Sequence, residues 1–275
     1  MTIALTGVTG ALGGAVAQRL STLSPRLVVR DPQRAPDIPG SAVAVAAFDD
    51  TDALARAFAG IDTLLLVSAA ESADRRRQHR NAIQAAADEG VAHIVYTSFD
   101  GAAPDAEFTL GRDHADAEEA IRETGMQWTF LRNNFYADLL PFFGDAGGVI
   151  RGPAGQGRVA AVARADVADV AAVILRDPQA HASRAYHLTG PEALTLPELA
   201  ERAGTHLHRD ISYAEESVAE AYASRRSAYP QAQPFELDAW VSTYTAIARG
   251  DLSRVSTDVP DLTGHPARTV ELALS

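Results

Sequence analysis

Residues 3–14 read I-A-L-T-G-V-T-G-A-L-G-G, and this stretch decides the fold. Its apolar start, Ile3 to Leu5, predicts a short buried strand, and the pattern after the glycines predicts a helix because apolar side chains recur at helical spacing. The residues that show this spacing are Leu12, Val16, Leu20 and Leu23. A strand, a glycine turn and a helix in this order provide the setting in which a phosphate-binding turn is meaningful.

The glycines Gly7, Gly10 and Gly13 are spaced Gly-x-x-Gly-x-x-Gly. In a dinucleotide-binding turn one glycine permits the sharp turn, one lets the backbone approach a pyrophosphate, and one lets the helix pack closely on the strand. The helix N-terminus then presents free N–H groups and a partial positive charge to the phosphates. An ordinary tight strand–helix turn is the alternative, but the position directly after an N-terminal buried strand favours nucleotide binding.

Strand and helix patterns alternate through the first half of the chain. The run from Thr63 to Val67 is almost continuously apolar, as in a parallel sheet that is covered on both faces. Further strands are predicted at residues 27–30, 43–48, 93–97, 127–131 and 185–188. This alternation predicts an α/β fold of the Rossmann type, a doubly wound parallel sheet with right-handed crossovers.

The end of the second strand carries Arg30 and then Asp31 and Pro32. In dinucleotide folds this strand end faces the adenosine ribose, where an acidic residue holds the 2′-OH of NAD and an arginine accommodates the 2′-phosphate of NADP. Asp31 also fits a helix cap that precedes a proline. We therefore favour NADP(H) over NAD(H), with Arg30 and Arg34 binding the 2′-phosphate. Binding of NAD, with Asp31 on the ribose 2′-OH, remains the alternative.

Composition excludes several classes of protein. The 275 residues contain 24 basic and 36 acidic residues, a formal net charge of −12, so no nucleic-acid partner is expected. No apolar run approaches the length of a membrane span, and the N-terminus is already a predicted core strand rather than a signal peptide. The absence of cysteine excludes disulfides and thiolate chemistry and fits a cytoplasmic location. No metal site is predicted.

Regular alternation stops after Leu131. Six glycines between residues 144 and 157 predict a mobile loop rather than a second phosphate site, because no strand–turn–helix pattern surrounds them. Further on, Thr195 and Glu198 have the spacing of a capping box.

Taken together, motifs along the whole chain resemble the NmrA-like branch of the atypical short-chain dehydrogenases/reductases, and are most similar to the bacterial type 2 NAD(P)H:quinone oxidoreductases. The motifs are T-G-V-T-G-A-L-G at 6–13, V-R-D-P at 29–32, L-L-L-V-S at 64–68, Q-H-R-N at 78–81, Y-T-S at 96–98, L-R-N at 131–133 with Tyr136, A-R-A-D at 163–166 and T-G-H-P at 263–266. The resemblance implies a Rossmann domain over residues 1–132, completed by core segments within 158–190. It also implies that residues 133–275 form mainly a small C-terminal α+β lobe for substrate.

The same resemblance implies the residues that contact the cofactor. The pyrophosphate would be held by Gly7, Thr9, Gly10, Ala11, Leu12 and Gly13, and the 2′-phosphate by Arg30. The middle of the cofactor would be lined by Ser68, Ala69, Thr97 and Ser98, and the nicotinamide end by Asn133, Phe135 and Tyr136.

The chain departs from the family at the conventional catalytic pair. Leu110 and His114 stand where other short-chain dehydrogenases carry a tyrosine acid and a lysine. Two candidate catalytic residues remain, Tyr136 as pocket wall or proton donor, and His114 as catalytic or ribose-contacting residue or as a surface partner of Glu118. His79 and Asn81 are explained equally by helix packing, a subunit contact or substrate binding.

Two functions follow from the resemblance. The first is an NAD(P)H-dependent oxidoreductase, free of flavin and metal, that transfers a hydride from NADPH to a quinone or similar small electrophile. The second is an NADP-sensing regulatory protein with little or no turnover, as some NmrA-like proteins are. A monomer or homodimer without a nucleic-acid or membrane partner is expected for either.

Overall fold

The computed structural model describes residues 1–275, with eleven strands and ten α-helices in chain order. The strands are β1 (Ile3–Leu5), β2 (Arg26–Val29), β3 (Val43–Val45), β4 (Thr63–Leu66), β5 (His93–Phe99), β6 (Gln127–Asn133), β7 (Val149–Gly152), β8 (Arg158–Val159), β9 (Arg184–Leu188), β10 (Leu194–Thr195) and β11 (Ser212–Glu215). The helices are α1 (Ala11–Arg19), α2 (Thr51–Phe58), α3 (Arg75–Asp88), α4 (Thr109–Glu123), α5 (Arg164–Arg176), α6 (Leu196–Leu207), α7 (Val218–Ala228), α8 (Pro234–Arg249), α9 (Asp258–Thr263) and α10 (Val270–Ala273).

Seven strands form the central sheet in the order β3-β2-β1-β4-β5-β6-β9. β1 pairs in parallel with both β2 and β4, β2 with β3, and β4 with β5. The strand order reverses direction at β1, so the topological switch point lies between β1 and β4, where ligands bind in open α/β sheets. The predicted Rossmann-type fold is confirmed.

One face of this sheet is covered by α2, α3 and α4. Their apolar side chains form a single cluster with inward-facing residues of the strands, among them Tyr96 and Phe130, both fully buried. Helices α1 and α5 contribute nothing to this cluster and contact one another instead, with Arg19 Nε 2.6 Å from Asp169 Oδ1. The central strands β1, β4 and β5 are buried along their whole length, as expected for a parallel sheet that is covered on both faces.

The chain forms two compact units. The first contains residues 1–99, 113–132 and 167–186, and the second contains residues 100–112, 133–166 and 187–275. The second unit holds two small sheets, β7 with β11 in parallel and β8 with β10 antiparallel, together with helices α6 to α10. At the start of α6 the predicted capping box forms, because Thr195 and Glu198 exchange hydrogen bonds with each other's backbone N–H.

The glycine-rich stretch at 144–157 is not the loop that its composition predicts. Its residues Val149–Gly152 form β7, which pairs with β11 over four residues. A Cβ on Gly152 would lie 2.3 Å from the Tyr244 ring, and one on Gly157 would lie 2.0 Å from the Ile247 carbonyl oxygen. These glycines therefore permit close packing against α8 rather than mobility.

Helix α4 begins at Thr109. The backbone N–H of Thr109 donates to Ser242 Oγ at 3.1 Å, so a side chain from α8 satisfies a group at the helix start. No helix of the protein combines the length and the apolarity that crossing a bilayer requires.

Candidate active site

The glycine turn joins β1 to α1 directly. Gly7 has a φ of +66°, a left-handed conformation that glycine adopts without strain. Gly10 is the N-cap residue of α1 and has no side chain with which to cap it. The first N–H groups of the helix therefore have no partner within the helix, which is the arrangement that binds phosphate.

The three glycines have distinct surroundings. A Cβ on Gly7 would lie 2.8 Å from Val67 Cβ, and one on Gly13 would lie 2.3 Å from the Gly7 carbonyl oxygen. A Cβ on Gly10 would meet only the Gly7 oxygen, at 3.3 Å. Gly7 and Gly13 are thus required by packing within the protein, whereas the space in front of Gly10 is open to a ligand.

At the end of β2, the side chain of Asp31 has a partner within the protein and that of Arg30 has none. Asp31 Oδ1 accepts a hydrogen bond from the Gln33 N–H at 3.0 Å and caps the short 3-10 turn Pro32–Arg34. The exposed guanidinium group of Arg30 makes no hydrogen bond or ion pair, and the same holds for the guanidinium group of Arg34. The helix-capping alternative for Asp31 is what the structure shows, and it leaves two free guanidinium groups at this strand end.

The carboxyl ends of β4 and β5 meet beside the glycine turn. Three successive N–H groups after β4 donate to buried side chains: Val67 N to Thr6 Oγ1 at 2.9 Å, Ser68 N to Thr97 Oγ1 at 2.8 Å, and Ala69 N to His79 Nε2 at 2.9 Å. Of the residues predicted to line the middle of a cofactor, Ser68, Ala69 and Thr97 are therefore brought together.

Ser98 lies on the other side of β5. Its hydroxyl donates to Glu118 Oε1 at 2.6 Å, and Glu118 also accepts from Arg132 and Arg122. Glu118 is 1% exposed, and two guanidinium groups and a hydroxyl satisfy its charge. Ser98 is therefore a member of this buried ion cluster and has no hydroxyl proton left for a ligand.

His114 is buried, and both of its ring nitrogens are engaged. Nε2 lies 2.9 Å from Arg75 Nη2, and Nδ1 lies 2.9 Å from the Tyr96 hydroxyl. An arginine only donates, so Nε2 is the acceptor and Nδ1 carries the proton. Burial, reinforced by the charge of Arg75, holds the pKa of His114 well below its ordinary value.

This geometry corrects two expectations about His114. The predicted surface pair with Glu118 does not form, because Glu118 is bound to Ser98, Arg122 and Arg132. His114 has no free ring nitrogen that could exchange a proton with a substrate, so the structure does not support a direct catalytic role for it. Leu110, one helical turn earlier, has no proton to donate, so neither position supplies the conventional acid.

In the second unit, Asn133 and Tyr136 form a hydrogen-bonded pair. Asn133 Nδ2 donates to the Tyr136 hydroxyl at 3.3 Å, and the buried Asn133 Oδ1 has no hydrogen-bond partner in the protein. Burial raises the pKa of Tyr136 to about 12, so its hydroxyl is protonated at neutral pH. Phe135, between them, packs edge-to-face on Phe108 with ring centroids 5.1 Å apart.

Arg75 is the main residue that sequence reasoning misplaced. It begins the basic run Arg75-Arg76-Arg77, whose charges predict a solvated helix start, yet it is 4% exposed. Arg75, His79 and Ile83 recur at intervals of four residues on α3, and all three are buried. That periodicity was the available signal that Arg75 and His79 face the core. Asn81 is also explained by packing, since Nδ2 donates to the Phe48 carbonyl oxygen at 3.0 Å.

Comparisons with known proteins identify the family of this chain. A family model described as NAD(P)H-binding matches residues 7–178. Quinone oxidoreductase 2 of Escherichia coli is 32% identical over 283 residues, which cover 99% of this chain and 97% of that protein. A (4-alkanoyl-5-oxo-2,5-dihydrofuran-3-yl)methyl phosphate reductase of Streptomyces griseus is 35% identical over 97% of this chain and 94% of its own length.

The solved structure of the Escherichia coli NADPH-dependent quinone oxidoreductase complexed with NADPH superposes with a TM-score of 0.89 at 31% identity, covering 99% of this chain and 98% of that one. The family predicted from the motifs is thereby confirmed. The glycine turn from Gly7 to Gly13 lies inside the matched segment, and the similarity runs over nearly the full length of both chains. This chain belongs to the NAD(P)H-binding family that includes quinone oxidoreductase 2 of Escherichia coli.

Proposed function

We propose that this protein is an NADPH-dependent oxidoreductase that reduces a quinone or a similarly electron-poor small molecule. The observation that carries the proposal is the turn around Gly10, where an uncapped helix N-terminus faces open space at the switch point of a doubly wound sheet. The names of the full-length relatives, a quinone oxidoreductase and a reductase of an unsaturated lactone, support the reaction class.

The residues present fit NADPH in three places. The backbone at Gly10 and the first turn of α1 would bind the pyrophosphate, and the free Arg30 would bind the 2′-phosphate. The unpartnered Asn133 Oδ1 is an acceptor that suits the carboxamide N–H of a nicotinamide. The pyrophosphate would also contact Thr9, Ala11 and Leu12, which flank Gly10. The middle of the cofactor would contact Ser68 and Ala69 in the loop after β4. Bound NADPH would supply the hydride.

The chain's own residues would then orient the acceptor and supply a proton. Reduction of a quinone by a hydride leaves a hydroquinone anion that must be protonated. Tyr136 holds its proton at neutral pH, and because its oxygen accepts from Asn133, the O–H bond is free to point at a ligand. Tyr136 would give this proton to the acceptor oxygen and recover one from water. A quinone accepts hydride readily, so holding the reacting atoms close would contribute more than the acid does.

The remaining assignments belong to the same proposal. The first unit would bind the phosphates of the cofactor, and the second would carry the residues that meet the nicotinamide and the substrate. The lack of cysteine and the net charge of −12 suit a cytoplasmic enzyme that acts on small molecules as a monomer or homodimer.

Oxidation of NADPH by the purified protein, with a simple benzoquinone as acceptor, tests the proposal. We expect turnover that depends on both protein and quinone and that Gly10→Leu abolishes. NADPH binding without oxidation, across quinones and azo or lactone acceptors, would instead support the sensing function. Absence of NADPH binding would reject both.

A further inference from the structure

The loop that follows β4 is held at one residue by two buried side chains from α3. Ala69 donates its N–H to His79 Nε2 at 2.9 Å, and its carbonyl oxygen accepts from Arg75 Nε at 3.0 Å. His79 is 0% exposed and Arg75 is 4% exposed. His79 therefore fixes the peptide group before Ala69, and Arg75 fixes the peptide group after it.

The hydrogen bond from Ala69 determines the protonation state of His79. Since the Ala69 N–H donates to Nε2, His79 must be neutral and must carry its proton on Nδ1. Burial, together with the charge of Arg75, lowers the pKa of His79 to about 3, which keeps it neutral. Its buried Nδ1 has no hydrogen-bond partner.

The Arg75 guanidinium is held in turn by contacts that include His114, Asp113 and the loop itself. Nη2 donates to His114 Nε2 at 2.9 Å, Nη1 lies 3.4 Å from Asp113 Oδ2, and Nε reaches the loop. His114 then donates from Nδ1 to the Tyr96 oxygen at 2.9 Å. This chain of contacts connects α3, α4 and β5 and leaves the guanidinium little freedom to move.

These groups are unfavourable choices for stability alone. A buried N–H without a partner and a buried cation both oppose folding, and apolar residues of similar volume stabilise such sites as well or better. What they provide is the position of Ala69. With Thr6 and Thr97 they fix three successive N–H groups beside the switch point, each from a different element.

We propose that Arg75 and His79 are positioning residues that hold the loop after β4 in the conformation that binds the dinucleotide. The inference rests on the proposed function, because it assigns this loop to the cofactor. Holding the loop in advance removes the ordering penalty that a free loop would add to binding. The residues contact the loop and not the reacting atoms, so they set cofactor affinity rather than the rate of hydride transfer.

The matched variants are His79→Leu and His79→Gln. Glutamine carries an acceptor oxygen at about the reach of Nε2, whereas leucine fills the volume without an acceptor. We expect His79→Leu to weaken NADPH binding, and to raise the KM for NADPH, by about threefold to tenfold with kcat retained. His79→Gln should bind like the wild type. Amide hydrogen exchange should show protection of the Ala69 N–H lost in the first variant and kept in the second.

The anchor on the neighbouring N–H gives an independent test should His79→Leu fail to fold. Thr6→Val removes the acceptor for the Val67 N–H, and Thr6→Ser keeps it. We expect Thr6→Val to weaken NADPH binding and Thr6→Ser to bind NADPH like the wild type. A folded His79→Leu or Thr6→Val protein that binds NADPH as tightly as the wild type would overturn the inference, as would equal weakening by both members of a pair. Failure of the wild type to bind NADPH would instead reject the proposed function.

Discussion

Replacing Arg30 with alanine tests which dinucleotide the protein prefers. Arg30 is exposed at the end of β2 and is bound to nothing within the protein, so its contact with a 2′-phosphate requires no existing bond to be broken. Asp31, the acidic residue next to it in the chain, accepts from the Gln33 N–H and caps the following turn. The repulsion that Asp31 would exert on a phosphate is thereby reduced.

The magnitude follows from the chemistry of that contact. A charge-assisted hydrogen bond contributes ~1.5–3 kcal/mol when it is well placed, which corresponds to a preference of ~10–100-fold for NADPH over NADH. Because the guanidinium is exposed and screened by salt, we expect a value of ~10-fold, falling further as the ionic strength rises. Arg30→Ala should weaken NADPH binding by about that factor and leave NADH binding nearly unchanged.

Calorimetric titration of both cofactors into wild type and variant measures this preference directly. Arg56→Ala is the matched control, since Arg56 is an exposed, unpaired arginine on α2 and its removal changes the net charge equally. The control should bind both cofactors like the wild type. A wild type that prefers NADH, or an Arg30→Ala protein that loses affinity for both cofactors equally, would refute the assignment of Arg30 to the 2′-phosphate.

Three further predictions follow from the site. Gly10→Leu should fold, with a cooperative thermal transition, and should lose NADPH binding, whereas Gly13→Ala should be destabilised because its Cβ would lie 2.3 Å from the Gly7 oxygen; equal melting temperatures for the two would contradict this. Tyr136→Phe should lower kcat by less than ~10-fold if positioning dominates, and a loss of ~10²–10⁴-fold with unchanged NADPH affinity would identify Tyr136 as an essential acid. Acidification should destabilise the protein: the folded-state pKa of His79, about 3, lies below the ordinary 6.5, so the unfolded chain binds more protons between these values and stability falls as the pH drops below 6.5. At about pH 5, His79 lowers the free energy of unfolding by on the order of 2 kcal/mol relative to neutral pH. Urea unfolding of His79→Gln should therefore show a smaller loss of stability on acidification than the wild type.

The sequence alone determined the parts of this protein whose causes are local. The apolar strand, glycine turn and amphipathic helix at residues 3–20 predicted the nucleotide-binding turn, and the apolar run at 63–67 predicted a parallel sheet. The capping box at Thr195 predicted where α6 begins. In each case the residues that determine the structure are neighbours in the chain, so spacing and residue type are sufficient.

Only the tertiary structure decided which partners the polar residues have. His114 binds Arg75, which is 39 residues away, instead of Glu118 one turn along its own helix. Ser98 faces the Glu118 ion cluster rather than a ligand. Gly152 meets Tyr244 of α8, which is 92 residues later, and so permits a packed strand where composition predicted a loop. These outcomes depend on which elements pack together, because burial makes a charged or polar group pair with whatever the fold brings within reach, and sequence spacing does not contain that information.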